Sequence, residues 1–287
     1  MNFLKKIFKT DSKPCAKENK PCGANKSAAV PETLLPTINF ELLKQEENSY
    51  MTTRKVAYKK VRNLKDKTID KVLEFAYTMA FDEKHRKKRS GGKIKRKNGE
   101  IFANTFQGKL AECAAVNFFH KYDDAIEIDF DTYDLGIWDK VDITVCKKEI
   151  AVKSTKYFGQ LLLLETEDWN GSGEYIPNIG TSNCSYDFIV LVRIEPSCED
   201  IMKTNRLLYK DNIDKTVLKN LIKPQKWSYD YVGYITNSDL KQIIKNEHII
   251  PQGALLNGKT PMDAENYYVQ AGNMRKLSDF DKIFRRL

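Results

Sequence analysis

Two short strands near the middle of the chain bring an acid and an amine onto one surface. The stretch VDITVCKKEIAVKST, residues 141–155, alternates apolar and polar residues, which is typical of two strands that each have one apolar face. If Lys147-Lys148 forms a two-residue loop, Asp142 lies directly opposite Lys153, with Cβ atoms about 4.5–5.5 Å apart. Taken alone, such a pair is a surface ion pair that stabilises the fold by roughly 0–1 kcal/mol.

The same register decides which residues share the polar face. Pairing then runs 146 with 149, 144 with 151 and 142 with 153, and the shared face holds Asp142, Thr144, Cys146, Glu149, Ala151 and Lys153. The opposite face is apolar, and we expect it to pack in the core. The turn is the weak point of this prediction, because Lys-Lys lacks the Asn or Gly that such turns favour, and a longer loop would shift the register.

A further acid lies in a helical pattern that is apolar on nearly every side. The stretch NTFQGKLAECAAVNFFHKY, residues 104–122, predicts a buried helix in which Glu112 shares a stripe with Gly108 and Val116. A carboxylate there needs a lysine, an arginine or a metal ion, because an unpaired buried charge is costly. A structural salt bridge and a functional site both remain open at this point.

The elements that must position these residues predict a mixed α/β fold. A helix is expected over residues 64–81, with an apolar stripe at Ile69, Val72, Leu73, Ala76, Met79 and Ala80. Strands are expected over 125–130, 186–194 and 229–236, and a helix over 237–246 capped by Asn237 or Ser238. This order predicts a mixed central β-sheet flanked by helices.

Composition limits the domain organisation and the setting. The 287 residues are 41% hydrophobic and 30% charged, and no apolar run is long enough to span a membrane. Residues 1–48 lack periodicity and are expected to form a disordered polar tail, ahead of a domain over 49–287. The six cysteines lack the spacing of a metal site, which favours free thiols. The N-terminal stretch MNFLKKIFKTDSK is too short and too interrupted by lysine for a signal peptide, so we expect a reducing cytoplasm.

The net charge of +9 is concentrated in one region. Residues 54–97 contain 17 Lys/Arg against five Asp/Glu, a local charge of +12, so the rest of the chain is near −3. The densest cations are Arg86, Lys87, Lys88, Arg89, Lys93, Lys95, Arg96 and Lys97, in a predicted flexible loop around Gly91-Gly92. Such a run favours binding to nucleic-acid phosphates over the alternative of a solvated charge run.

The order of these features resembles a known nuclease core. A buried helix with a glutamate, a strand, an aspartate on the next strand and VKS on the one after are similar to the PD-(D/E)xK nuclease superfamily, and most of all to type II restriction endonucleases. The resemblance covers about residues 104–195, a third of the chain. It implies a restriction-endonuclease-like core, Mg²⁺-dependent hydrolysis of double-stranded DNA at a specific site, and a homodimer, because cutting both strands usually takes two chains related by a twofold axis.

The resemblance also assigns roles to residues. Asp142 takes the place of the metal-binding aspartate, Lys153 that of the lysine and Glu112 that of an accessory glutamate. The metal ligands would be Asp142, Glu112 and the carbonyl of Val152. Ser154 and Thr155 would bond a flanking phosphate.

One position departs from the family pattern. The acid expected two residues before the lysine is Ala151. Glu149 is a poor substitute, because it lies roughly 13 Å from Lys153 along a strand. Either Glu112 supplies the missing carboxylate or catalysis is impaired, which leaves a catalytically silent DNA-binding module, or a nonspecific or repair nuclease, as alternatives.

Two long segments without a strand or helix period are candidates for base contacts. They are residues 168–185 and 251–275, both rich in Asn, Gly and Tyr. Long loops in a compact domain are often functional, so we expect these two to approach the groove.

Overall fold

The computed structural model of the chain describes residues 35–82, 96–130, 142–179 and 184–284. These residues form helices and three separate sheets. The helices are α1 Asp66–Phe81, α2 Asn98–Phe119, α3 Cys198–Thr204, α4 Lys215–Ile222, α5 Asn237–Lys245 and α6 Phe280–Phe284. The strands are β1 Lys44–Glu46, β2 Ser49–Met51, β3 Arg62–Asn63, β4 Ile143–Val145, β5 Lys148–Lys156, β6 Leu161–Glu165, β7 Phe188–Glu195, β8 Ser228–Thr236, β9 Ile249–Ile250, β10 Leu255–Leu256, β11 Thr260–Pro261 and β12 Asn266–Gln270.

A mixed five-stranded sheet is the centre of the fold. Its order is β3-β8-β7-β5-β4, with β5 parallel to β7 and the other neighbours antiparallel. One face packs on α1 and α2 through the largest apolar cluster. The other face is covered by β6, β12 and α5. The prediction of a mixed α/β sheet flanked by helices is confirmed, and the continuous apolar run of β7 is explained by burial on both faces.

Both long helices predicted from the sequence are present, although the start of α2 differs. All six residues of the predicted stripe of α1 are buried. Helix α2 begins at Asn98, six residues before the predicted start, and its first turn packs closely on the chain near Leu207. A Cβ at Gly99 would lie 2.3 Å from the carbonyl oxygen of Leu207, so only glycine fits there.

Three local predictions are wrong. Residues 126–130 form no strand, and the carbonyl of Asp129 instead accepts a hydrogen bond from the ammonium group of Lys109 at 3.0 Å. The cap of α5 is Thr236, whose hydroxyl accepts from the N–H of Asp239 at 3.1 Å. The segment 251–275 is not a long loop, because it contains β10, β11 and β12.

The β4–β5 hairpin has a different register from the predicted one. Its pairs are 143 with 150, 144 with 149 and 145 with 148, so the loop is Cys146-Lys147. Both loop residues have positive φ, 45° and 66°, which is the geometry of a type I′ turn. Lys148 belongs to the strand because its side chain is buried and pairs with Asp187 at 3.1 Å.

This shift of two residues keeps the polar face but separates the predicted pair. Extending the ladder by one step places Asp142 opposite Ala151 and not opposite Lys153. Asp142 and Lys153 become diagonal neighbours, with Cα atoms about 7–8 Å apart, which long side chains can still bridge.

The first described residues already belong to the fold. Residues 35–48, which the sequence groups with the tail, include β1 and bury Phe40 and Leu43. The four cysteines in the described ranges, Cys113, Cys146, Cys184 and Cys198, are free. In these same ranges no helix is both long and apolar enough to cross a bilayer.

Candidate active site

The site is built along the side of β5 that β4 leaves uncovered. Described pairing between the two strands ends at Ile150, so the second half of β5 has no backbone partner on that side among the described residues. Asp142, directly before β4, is the residue that bonds to this part of β5. Its carboxylate accepts a hydrogen bond from the N–H of Val152 at 2.6 Å. Only one carboxylate oxygen takes part in that bond, and the bond fixes the orientation of the group beside Lys153.

Lys153 lies at the edge of a pocket of about 350 Å³. Its ammonium group is 5.9 Å from the ring centroid of Tyr175. The pocket is lined by four of the predicted site residues, Val152, Lys153, Ser154 and Thr155, whereas Asp142 and Glu112 are not among its lining residues. The predicted site residues of β5 therefore all line the same pocket.

The missing acid has a structural explanation. Ala151 is 1% exposed and packs in the apolar cluster that contains Leu162, Leu164 and Ile189. A longer, charged side chain at this position would enter the aliphatic cluster, where burial of a carboxylate is costly. The alanine fits the packing against β6, and any second carboxylate would come from another element.

Glu112 has a close partner on its own helix. The ammonium group of Lys109 lies 2.5 Å from its carboxylate, with side-chain exposures of 6% for the lysine and 16% for the glutamate. Lys109 also lies 4.8 Å from the ring centroid of Phe75. The cation that the buried glutamate was expected to need is therefore Lys109, three residues earlier.

Glu112 still lies on the stripe of α2 that reaches the pocket. Asn104 and Gly108 line the pocket, and Glu112 follows Gly108 by four residues, about one helical turn. The carboxylate is held one turn beyond the pocket wall by its lysine.

Two acids in the pocket wall were not singled out from the sequence. Glu165 ends β6 and Asp168 lies in the 3₁₀ turn that follows, and both line the pocket together with Lys153. Trp169 and Tyr175 cover this end of the pocket, with ring centroids 5.2 Å apart. The available signal was the run of four leucines followed by ETED, which places acids at the end of a buried strand.

Glu149 is separate from this pocket. Burial, together with the neighbouring carboxylate of Asp187, raises the pKa of Glu149. Its N–H donates to Asp187 at 2.9 Å, at the opposite end of β5 from Lys153. The expectation that Glu149 is a poor substitute for the missing acid is consistent with this position.

Most of the predicted basic loop lies outside the described residues. This applies to Arg86, Lys87, Lys88, Arg89, Lys93 and Lys95. Arg96 pairs with Asp263 at 3.2 Å, and Lys97 pairs with Asp211 at 2.6 Å. These last two cations therefore have acidic partners within the chain.

The donor set was compared with the needs of a divalent metal. Within the described ranges there is no group of three His, Cys, Asp or Glu side chains that could hold a metal ion. Mg²⁺ needs less, because one or two carboxylates suffice when water and phosphate oxygens complete its shell. Asp142 can supply one carboxylate of that smaller set.

Comparisons with known proteins add no constraint to this picture. No family model, no curated protein and no solved structure matches the chain. The functional conclusion therefore depends on the chemistry of the residues around Asp142 and Lys153.

Proposed function

We propose that the protein is a Mg²⁺-dependent endonuclease that hydrolyses phosphodiester bonds of double-stranded DNA, in the manner of a site-specific type II restriction enzyme. The observation that carries the proposal is the carboxylate of Asp142 fixed on the N–H of Val152, because Val152 and the following Lys153 both line the pocket. An oriented carboxylate and an amine on one strand edge are the two groups that this reaction needs most.

The surrounding elements support the same assignment. The hairpin β4–β5 and, after β6, a strand β7 that is parallel to β5 form a sheet on which the buried helix α2 packs. This arrangement is similar to a restriction-endonuclease-like core, except that the strand expected after α2 is absent from residues 126–130, and on that likeness we assign Glu112 of α2 to the site.

Each residue has a chemical task in the proposed reaction. Asp142 and a second acid, Glu112, would hold Mg²⁺, with the carbonyl of Val152 as a further oxygen ligand. The ion acidifies a water and offsets charge on the phosphate oxygens when it is bound. Lys153 holds the attacking water or stabilises the crowded phosphate oxygens, and Ser154 and Thr155 donate to a neighbouring phosphate.

A DNA-binding module without catalysis is the second candidate. It is favoured by two observations, the apolar surroundings of Ala151 and the pairing of Glu112 with Lys109. If Glu112 is permanently neutralised by its lysine, the site has one effective carboxylate.

The test is incubation of the protein with a panel of phage and plasmid DNAs in Mg²⁺. Discrete fragments are expected from a site-specific enzyme. A smear would indicate a nonspecific or repair nuclease, and intact DNA in both Mg²⁺ and Mn²⁺, with binding retained in EDTA, would establish the silent module in place of the enzyme.

The proposal includes a homodimer on DNA. One active site per chain cuts one strand, so double-strand cleavage of a palindromic site calls for two chains related by a twofold axis. Light scattering of the complex in Ca²⁺ should report two chains per duplex. One chain per duplex, together with double-strand cleavage, would contradict this part of the proposal.

A further inference from the structure

A basic segment connects β2 with α1, and its cations lie at the start of the basic region 54–97 but outside the densest run at 86–97. Residues 52–65, TTRKVAYKKVRNLK, contain six Lys/Arg and no Asp/Glu. They include the short strand β3 at one edge of the central sheet, and the rest of the segment has no regular secondary structure, with a bend at Arg54. We refer to residues 52–65 as the basic strap.

Side-chain amides hold the main chain of the strap in place. Gln270, 1% exposed, accepts hydrogen bonds from the N–H groups of Thr53 at 2.8 Å and Arg54 at 2.9 Å. Gln160 binds both the N–H and the carbonyl of Val56, at 2.8 and 3.0 Å. The strap is thereby fixed in position without regular strand pairing over this stretch.

A buried ion pair, Arg193 with Asp230, also holds the main chain of the strap. Arg193 is fully buried and donates to the carbonyls of Val56 at 2.8 Å and Ala57 at 3.0 Å. Its charge is balanced by Asp230 at 2.6 Å, which also accepts from the N–H of Lys59 at 2.6 Å. Since both members of this buried pair bond to main-chain groups of the strap, the pair fixes the position of residues 56–59.

The contacts of Arg193 also relate the strap to the residues of β5. Arg193 on β7 is the register partner of Thr155 on β5. Lys153 lies two residues before Thr155 on the same face of the strand, about 7 Å away. The strap is therefore bonded to the β7 residue that pairs with Thr155, two residues from the candidate catalytic lysine.

The cations of the strap face solvent. Lys55, Lys59 and Lys60 are exposed, and none of them pairs with an acid among the described residues, whereas Arg54 pairs with Glu41. An extended chain rises about 3.3 Å per residue, so the stretch from Arg54 to Lys60 spans up to about 20 Å. One strand of B-DNA carries about six phosphates over that length.

Protection of a sheet edge is the simpler explanation for such lysines. It applies to Arg62, which lies in the edge strand β3. It does not apply to Lys55, Lys59 and Lys60, because Gln160, Arg193 and Asp230 already occupy main-chain groups there. Main-chain groups that are already hydrogen-bonded within the chain cannot pair with a strand of another molecule, so lysines are not needed there to prevent such pairing.

Exposed aromatic side chains adjoin the strap. Tyr157 and Phe158 follow β5 in a turn closed by a hydrogen bond from the N–H of Gly159 to the carbonyl of Lys156 at 2.7 Å, and they are 38% and 55% exposed. The Tyr157 ring lies 6.2 Å from the ring of Tyr58 in the strap. Cations that follow a phosphate backbone, next to rings on which bases stack, are typical of surfaces that bind unpaired nucleic-acid strands.

We propose that the basic strap and the Tyr157-Phe158 turn form a nucleic-acid-binding surface. Lys55, Lys59 and Lys60 contact the phosphates of one strand, and Phe158 stacks on a base of that strand where it is unpaired. The inference rests on the proposed function in one respect, since it names the surface that leads the DNA strand to Lys153.

The first test is binding in EDTA, measured by fluorescence anisotropy over a range of salt concentrations. The ligand is a labelled DNA duplex with a single-stranded overhang. The strap variant is Lys55→Gln/Lys59→Gln/Lys60→Gln. The control is Lys203→Gln/Lys241→Gln/Lys245→Gln, which removes the same charge from three exposed lysines of α3 and α5.

The strap variant should bind at least tenfold more weakly, with a salt slope lower by about 2–3, because each lost phosphate contact removes about 0.9 from the slope. The control should stay within about threefold of the wild type. Equal losses in the two variants, or a wild-type protein with no affinity, would overturn the inference. Thermal melting checks that both variants remain folded.

The aromatic turn has its own comparison. Phe158→Ala should weaken binding of a single-stranded oligonucleotide about fivefold or more, because one base–aromatic stack is lost. Tyr209→Ala removes a ring that is 63% exposed elsewhere and should have no such effect. Equal behaviour of these two variants would overturn the stacking role.

Two further ligands identify the kind of partner. Heparin and vesicles containing phosphatidylserine offer negative charge without bases. If the strap variant loses affinity for them as strongly as for DNA, the surface is a general polyanion patch and the assignment to nucleic acid is wrong.

These outcomes can be separated from the fate of the proposed function. A wild-type protein that binds through the strap but never cuts DNA would overturn the endonuclease and leave the strap assigned. Normal cleavage, together with a strap variant that binds like its control, would overturn the strap alone.

Discussion

At the scale of single residues, the chemistry was easier to predict than its supporting contacts. The sequence indicated that Glu112 needs a cation, and Lys109 is that cation. It also placed Asp142 directly opposite Lys153, whereas the register places Asp142 opposite Ala151. The spacing of Lys109 and Glu112, three residues apart in a helix, could have been interpreted from the sequence as an ion pair. Burial of Ala151 could not, because it depends on β6, which packs on that face of the sheet.

The Lys109–Glu112 pair supports a prediction about stability and activity together. Glu112→Gln removes the negative charge beside the buried ammonium of Lys109, so the free energy of unfolding should fall by about 3 kcal/mol. Lys109→Met/Glu112→Gln removes both charges and should recover most of that loss. Urea denaturation of the two variants measures this difference.

Cleavage by the same two variants separates the two roles of Glu112. If Glu112 is a metal ligand, neither variant should cut DNA in Mg²⁺, although both should bind it in Ca²⁺. Cleavage restored in the double variant along with its stability would show that Glu112 serves the fold alone.

At the scale of elements, the strands and helices with strong periodicity were predictable and the turns were not. The hairpin was expected from its alternation, but its loop was placed one residue late, because Cys146-Lys147 contains neither Asn nor Gly. The carboxylate of Asp123, which accepts from the N–H of Cys146 at 3.0 Å, supports this turn from another element. Such a contact has no local signature in the sequence.

Two glycine substitutions test the hairpin register. Lys147 has a φ of 66°, so Lys147→Gly should leave stability unchanged or raise it by about 0.5–1 kcal/mol. Lys148→Gly should lower it by about 3 kcal/mol or more, because it removes a buried strand residue and the partner of Asp187. The reverse order in thermal or urea unfolding would favour the Lys147-Lys148 loop.

At the scale of the whole molecule, the central mixed sheet was predictable and the peripheral pairing was not. The order of α1, α2, β7, β8 and α5 follows from local patterns. The position of the strap could not be predicted, because its partners, Gln160, Arg193 and Gln270, lie more than a hundred residues away along the chain. Contacts at that separation are set by the fold and leave no trace in local periodicity.

Global stability should depend on pH through one buried histidine. His248 is 5% exposed, and burial lowers its pKa from the ordinary value of 6.5. As the pH falls below 6.5, the unfolded chain takes up a proton that folded His248 resists, so this contribution is complete above pH 6.5 and is lost on acidification. His248→Gln should therefore reduce the loss of stability between pH 7 and pH 5.

The control for this prediction is His120→Gln, at an exposed position. Urea denaturation at several pH values should give His120→Gln the same pH dependence as the wild type. An unchanged dependence in His248→Gln would mean that other groups control the acid loss of stability.

The most direct test of the proposed site is cleavage of DNA by Asp142→Asn in Mg²⁺, measured beside Glu149→Gln. An asparagine keeps an oxygen that accepts from the N–H of Val152 but removes the charge, so the variant should fold and bind DNA in Ca²⁺. We expect no detectable cleavage by Asp142→Asn and near wild-type cleavage by Glu149→Gln. Normal cleavage by Asp142→Asn would contradict the central claim that its carboxylate holds the catalytic metal ion.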